Sequence, residues 1–281
     1  MEPENYHHVL LTRFNVLWSD KVPFRGRDPQ WLEDRFELFD RYCFPSVMGQ
    51  TCQNFVWFVF FDSQTPEPFM SRVAQYTQRY PRFVPIFVDR FSAEVFVTAL
   101  GERGFLERDY IVTSRVDNDD ALAKDYIHRV QKWVRNKDPQ EPTFLNFCRG
   151  CAVVGRDLFL TRDYRSHFAS LVESSQRPIT VYRNHMEMEK WGRVEQLYGT
   201  PAWLEVRHPN RLTAYHVLPS WMPLPRTLGK LWFPGIEDFE LFCVRDAVKY
   251  PYRLLCWVSF RLRRAIGRRL RIPMTVSGDA K

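Results

Sequence analysis

One run constrains this chain more than any other. Residues 54–62, NFVWFVFFD, are almost wholly apolar and rich in phenylalanine, and the run closes abruptly on Asp62. A strand with one wet face alternates apolar and polar residues, so a run without alternation reads as a strand covered on both faces. Its surroundings supply the covering layers. HVLLTRFNV, residues 8–16, reads as a first buried strand. Between the two runs, Leu32, Phe36, Phe39 and Cys43 recur at helical spacing, and Pro45 can open a further helical turn that Gly49 closes. A helix over 69–80, a strand over 83–88, a helix over 93–103, a strand in DYIVTSRVDNDD and a helix over 124–135 follow. TFLNF and CAVVGRDLFL then look like a hairpin or adjacent strands. This order predicts an α/β chain built on a mostly parallel sheet wrapped by helices. Ligands of such sheets bind at the carboxyl ends of the strands, and Arg13 to Asn15, Asp62 and Asp117 to Asp120 all fall there.

Charge narrows the partners. Forty Lys and Arg against 33 Asp and Glu give a net charge of +7, which suits a nucleotide, a nucleic acid or an acidic membrane surface. No aromatic stacking motif of the nucleic-acid binders is present, so no nucleic-acid partner is expected. The segment after the first strand has no compact Gly- and Lys-rich phosphate loop, which argues against a nucleotidyltransferase. The amino terminus does not read as a signal peptide and no run is long enough for a spanning helix, so a cytoplasmic chain with reduced cysteines is expected. Cys148 and Cys151 form a lone CxxC without the second pair a metal knuckle needs, and we read it as structural.

Texture changes near Pro219. We expect a catalytic unit over 1–218 and an extension over 219–281, with a basic amphipathic helix toward its end. On a helical wheel Leu255, Leu262, Ile266 and Leu270 share one face, and Arg261, Arg264, Arg268 and Arg271 the opposite one. Two readings stand side by side. Residues 254–272 lie on an anionic membrane, making the protein peripheral on its inner face, or the aliphatic stripe docks on the catalytic unit.

Asp117, Asp119 and Asp120 would repel one another at a buried strand end unless solvated or neutralised. A hard divalent cation neutralises them and also bridges diphosphates. The plainer reading is a turn in which Asp119 or Asp120 caps a helix starting at Ala121. Arg13 and Arg115, both at strand ends, are candidate phosphate or nucleotide contacts, or partners of neighbouring carboxylates.

Several motifs in order carry a resemblance. TRFN at 12–15, WLEDRFELFDRYCFPSVMGQT at 31–51 with Ser46, Gln50 and Thr51 in register, the strand ending at Asp62-Ser63, SRVDNDD at 114–120, FASLVE at 168–173, VYRNH at 181–185, and PAWLEV with a following His are similar to the GT-A-fold glycosyltransferases, most narrowly to their rhamnosyltransferase family. The resemblance spans roughly residues 8–216. It implies a nucleotide-sugar donor, Mn2+ or Mg2+, and a saccharide or lipid-linked acceptor in cell-surface polysaccharide or glycolipid assembly. It places Asp62 by the donor's base or ribose, Asp117 by the ribose or the metal's water shell, and Asp119 on the metal. Glu173 is the first choice for the acceptor's general base, ahead of Glu187 and Glu189. His185 and His208 are expected to complete the metal shell.

Overall fold

The computed structural model describes residues 5–21, 23–137, 139–208, 220–239 and 244–269. The chain opens with β1 (Tyr6–Arg13), followed by α1 (Pro29–Leu38) and α2 (Phe44–Met48), joined by a π-helical turn over Phe39–Cys43. The Asp28 carboxylate caps α1 by accepting from the Trp31 amide at 3.0 Å, with Pro29 at the first helical position. Gly49 ends α2, as the sequence implies. Then come β2 (Val56–Asp62), α3 (Glu67–Arg79), β3 (Phe83–Val88), α4 (Ala93–Glu102), β4 (Tyr110–Arg115), the short β5 (Ala121–Leu122) and α5 (Tyr126–Asn136). Further along lie β6 (Thr143–Phe147), β7 (Arg149–Val154), β8 (Asp157–Arg162), β9 (Ser170–Ser174), β10 (Arg193–Leu197), β11 (Trp203–Arg207), β12 (Met222–Leu224), α6 (Gly229–Trp232) and α7 (Val244–Arg269).

These strands form two sheets. The larger has the order β10-β6-β9-β4-β1-β2-β3, and every pairing is parallel except those of β9, which runs against both β4 and β6. Its central strand β2 shows why the aromatic run does not alternate. Trp57, Val59 and Phe61 pack with Phe36, Phe39, Tyr76 and Ile127 on one face, while Phe58 and Phe60 meet Phe91, Phe96 and Leu100 on the other. Both faces are dry, so each position must be apolar.

The smaller sheet has the order β12-β8-β7-β11-β5. TFLNF and CAVVGRDLFL are therefore not partners of one another. The first is β6 of the large sheet, and the second spans most of the β7–β8 hairpin of the small one, turning at Gly155 with φ +60°. Only Gly fits at Gly150 in β7. A methyl there would fall inside the Trp203 indole, which stacks on Phe168 at 4.9 Å and donates to the Phe147 carbonyl at 2.8 Å. Gly150→Ala is expected to destabilise the fold by about 1–3 kcal/mol through overpacking. A lower denaturation midpoint with an unchanged slope is the result to look for, and an unchanged midpoint counts against this packing.

Residues 209–219, which contain the expected boundary near 219, lie outside the described residues. Beyond them the chain continues into the small sheet. β12 pairs antiparallel with β8, and Phe233, Ile236 and Phe239 are buried with Val153, Leu204 and Val206. Asp238 anchors this segment to the helical layer, accepting from Arg41 and Tyr42 and pairing with Arg226 at 3.0 Å.

Candidate functional site

The carboxyl ends of β1, β2 and β4 meet at one edge. After β4 the chain is held down by the Val116 amide donating to the Leu11 carbonyl at 3.0 Å and by Asn118 Nδ2 donating to the Phe14 carbonyl at 2.8 Å. The acidic turn is thereby tied to the end of β1. It caps no helix. Ala121 belongs to β5, and α5 begins only at Tyr126. Asp120 instead is fully buried: one oxygen accepts from the Val206 amide at 2.7 Å, and the other lies 3.0 Å from His167 Nε2.

Asp117, Asp120 and His167 form a cluster in which one ligand atom from each lies within 4.8 Å of the others. Burial favours neutral His167, but the hydrogen bond to Asp120 and the charges of Asp117 and Asp120 outweigh it and raise its pKa. Burial likewise pushes Asp117 upward, yet His167, Arg13 and Arg115 hold it below the usual carboxylate range. Two carboxylates and an imidazole within this span suit a hard divalent cation.

The sequence expects Asp119, His185 and His208 on the metal, and the structure places them around this cluster rather than in it. Asp119 is nearly buried, and its Oδ2 is taken by Arg35 NH1 at 2.6 Å and His208 Nε2 at 2.9 Å. Arg35 neutralises this carboxylate, and His208, held against it, lies outside the cluster. His185 lies beside the cluster, its ring 6.0 Å from that of His167, with Nδ1 against Arg115 at 3.1 Å. Burial first, then the positive charge of Arg115, lowers its pKa to about 3 and keeps it neutral.

The two arginines lie at the same edge. Arg13 lies 4.0 Å from Asp117, donates to the Tyr182 hydroxyl at 3.2 Å and is flanked by the rings of Trp18 at 4.4 Å and Tyr182 at 5.0 Å. Arg115 donates through Nε to the His167 carbonyl, and burial brings its pKa down to about 10. Asp62 reaches the same edge but is fully buried. Its carboxylate is held bidentately by Arg27 at 2.9 and 3.1 Å and accepts from the Gln64 amide at 2.8 Å. The half-exposed Arg27 stands between Asp62 and solvent.

Glu173 is placed elsewhere. It lies in β9 opposite Ile111, at the amino end of β4, six residues and roughly 20 Å of strand away from Asp117. Its buried carboxylate accepts from the Ile179 and Thr180 amides at 2.7 and 2.8 Å, so it has no path to an acceptor at the acidic edge. Its rivals are surface groups: Glu187 pairs with Lys190, and Glu189 with Arg165.

Burial raises the Glu173 carboxyl from its ordinary 4.5 to about 7. The folded protein then binds this proton more tightly than the unfolded chain does. This contribution to stability is present below pH 4.5, falls as pH rises to about 7, and is level above, by at most about 3 kcal/mol. Glu173→Gln should flatten that part of the stability curve. Denaturant midpoints at about pH 5 and pH 8 that differ as much in the variant as in the parent would assign the slope to other groups.

None of Asp120, His167, Arg27 and Arg35 is assigned a role of its own at the site by the sequence. Asp120 stood in the acidic cluster, and His167 immediately precedes FASLVE, so proximity to a motif was the available signal. A cleft of about 620 Å3 lined by Val56, Tyr80, Arg82 and Phe105 lies at the opposite, amino end of the strands and contains no carboxylate.

Residues 8–216 match the family described as "Putative rhamnosyl transferase". No curated protein matches significantly. Among solved structures, Staphylococcus aureus TarS residues 1–349 in complex with UDP-GlcNAc is 12% identical with a TM-score of 0.44, over 76% of this chain and 62% of that one. This chain thus spans less than two thirds of that TarS fragment. The mannosyltransferase PcManGT of Pyrobaculum calidifontis, in complex with GDP-Man and Mn2+, is 12% identical with a TM-score of 0.43, over 94% and 76%.

Proposed function

This chain belongs to the family described as "Putative rhamnosyl transferase", and on that premise we propose that it is a metal-dependent glycosyltransferase. It moves a sugar, rhamnose being the one the family's name points to, from a nucleotide-sugar donor to a saccharide or lipid-linked acceptor in cell-surface polysaccharide or glycolipid synthesis. The observation that carries this reading is the convergence of Asp117, Asp120 and His167 at the carboxyl edge of the sheet, beside Arg13 and Arg115.

A Mn2+ or Mg2+ ion held by Asp117, Asp120 and His167 would offset the charge that a diphosphate leaving group gains as the glycosidic bond breaks. The chain's own groups do the rest. Arg13 offers a guanidinium oriented by Tyr182 and Asp117, ready to donate to a phosphate or ribose oxygen. Asp62 acts on the donor through Arg27, whose planar head it fixes. Asp119 keeps Arg35 and His208 in place at the border of the cluster. Trp18, partly exposed beside Arg13, offers an aromatic face for the base or the acceptor.

α7 supports a further part of the reading, a peripheral station on an anionic membrane. No helix among the described residues is long and apolar enough to cross a membrane. α7 touches the small sheet through Arg253, which pairs with Asp157, and through Trp257, which donates to the Ser220 carbonyl at 3.5 Å. Tyr252, Leu255, Val258 and Leu262 remain exposed on it. Leu270 and Arg271 of the expected helical faces lie outside the described residues, as do the side chains of Arg264, Ile266 and Arg268.

A thermal-shift screen of nucleotide sugars and nucleoside diphosphates with Mn2+ or Mg2+ tests the proposal. A ligand present at a hundred times its dissociation constant adds about 2.7 kcal/mol. Stabilisation should require nucleotide and metal together. Stabilisation by nucleotide alone, undiminished by chelator, would count against a metal-held diphosphate.

A further inference from the structure

The segment following β9 is a strap that returns along one face of β4. Ile111, Thr113 and Arg115 project from that face, and the strap meets each level in turn. At the level of Ile111, the Glu173 carboxylate accepts from the Ile179 and Thr180 amides, one on each oxygen. At the next level the Val181 amide donates to Thr113 Oγ1 at 2.9 Å. At the last, His185 meets Arg115 at 3.1 Å, while Tyr182 accepts from Arg13 and packs edge-on against Phe91 at 4.5 Å. The strap thus begins at the amino end of the sheet and delivers two side chains to the carboxyl edge.

Its first pin is the costly one. Glu173 is only 2% exposed, and Thr180 takes φ +61°, a left-handed conformation that a β-branched residue adopts only under constraint. A buried carboxylate with no ion pair among the described contacts would not persist there unless its two hydrogen bonds were needed to fix the backbone. Above about pH 7, where Glu173 is ionised, a neutral amide of the same shape cannot replace it. Gln offers one accepting oxygen and turns a donor group toward the second amide.

We propose that Glu173 is a positioning residue: by pinning Ile179 and Thr180 it sets the strap that holds Tyr182 against Arg13 and His185 against Arg115. The inference rests on reading the carboxyl edge as the donor site, because only then does the aim of Arg13 and Arg115 matter to activity. Glu173 itself touches no substrate.

Hydrogen exchange and donor binding test it separately. At pH 8, in Glu173→Gln, amides 179–185 should exchange faster by about tenfold or more, the equivalent of one lost charge-assisted hydrogen bond, while those of β4 and β1 stay as they were. The affinity for a nucleoside diphosphate with saturating Mn2+ should fall by a similar factor, whereas affinity for Mn2+ alone should not change. Thr113→Val, which removes the middle pin without touching Glu173, should reproduce both effects more weakly and serves if Glu173→Gln does not fold. Unchanged exchange over 179–185 in the folded variants would overturn the pin. Faster exchange with unchanged nucleotide affinity would overturn the link between strap and site. A parent protein that binds no nucleotide would instead refute the donor-site reading, and the exchange experiment would still decide whether Glu173 sets the strap.

Discussion

Asp117→Ala is expected to lower Mn2+ affinity about a hundredfold and transfer about a thousandfold, since a catalytic cation supplies several kcal/mol of transition-state charge stabilisation. The fold should lose less than the site does. The Asp117 side chain is 38% exposed, and its ion pair with Arg13 is a loose 4.0 Å contact. Isothermal titration with Mn2+, alongside the unfolding midpoint, separates the two effects. Asp119→Ala offers the contrast. It strips Arg35 and His208 of the carboxylate they share, leaving a nearly buried guanidinium short of its counter-charge, so it should lower stability as well as activity. A variant pair in which Asp119→Ala abolishes Mn2+ binding and Asp117→Ala spares it would restore the metal role the sequence assigned to Asp119 and remove it from Asp117.

The second large effect belongs to α7. Leu255 is 66% exposed and Leu262 is 58% exposed, seven residues apart and hence on one face. Between Val248 and Gly278 the chain carries seven arginines and no acidic residue. Basic side chains near an anionic bilayer contribute about 1 kcal/mol each, and aliphatic ones add their burial. The protein should therefore pellet with phosphatidylserine-containing vesicles at low salt and be released at high salt. Leu255→Glu combined with Leu262→Glu should reduce that partitioning by about a thousandfold or more, two buried leucines and two repulsive charges having been exchanged. Activity on a water-soluble acceptor should be retained, because both positions face away from the contacts of Arg253 and Trp257. Equal pelleting of parent and variant, or no pelleting of either, refutes the membrane station.

Much of the fold could be read from local pattern. The double-sided burial of β2 forces an apolar run that nothing but a covered strand explains, and β3 and β6 fall on the expected residues. What escaped the sequence was decided by long-range pairing. The assignment of β6 and β7 to different sheets depends on β9 inserting antiparallel between β4 and β6, and no local property of SLVES announces its partner. The same holds for the site. Arg13, Arg115 and Asp117 were visible because chain position alone puts them at strand ends. The choice between Asp119 and Asp120 as the carboxylate beside Asp117 depends on partners 84 and 47 residues away: Arg35 occupies the first and His167 reaches the second. Spacing within RVDNDD carries no trace of either. The surroundings of Glu173 are illegible in the sequence for a related reason. Flanked in the chain by Val172 and Ser174, it carries no local sign that pairing with β4 buries it and gives both oxygens to backbone amides.

The central claim, a metal-held donor diphosphate at the edge formed by Asp117, Asp120 and His167, is tested most directly by following the phosphate product. The full-length protein is incubated with a panel of nucleotide sugars and Mn2+, and products are resolved with and without chelator. The expected result is release of a nucleoside diphosphate from at least one donor, abolished by chelator and by Asp117→Ala. Nucleoside monophosphate and sugar 1-phosphate as the products, or nucleoside diphosphate released at the same rate in chelator, would contradict it.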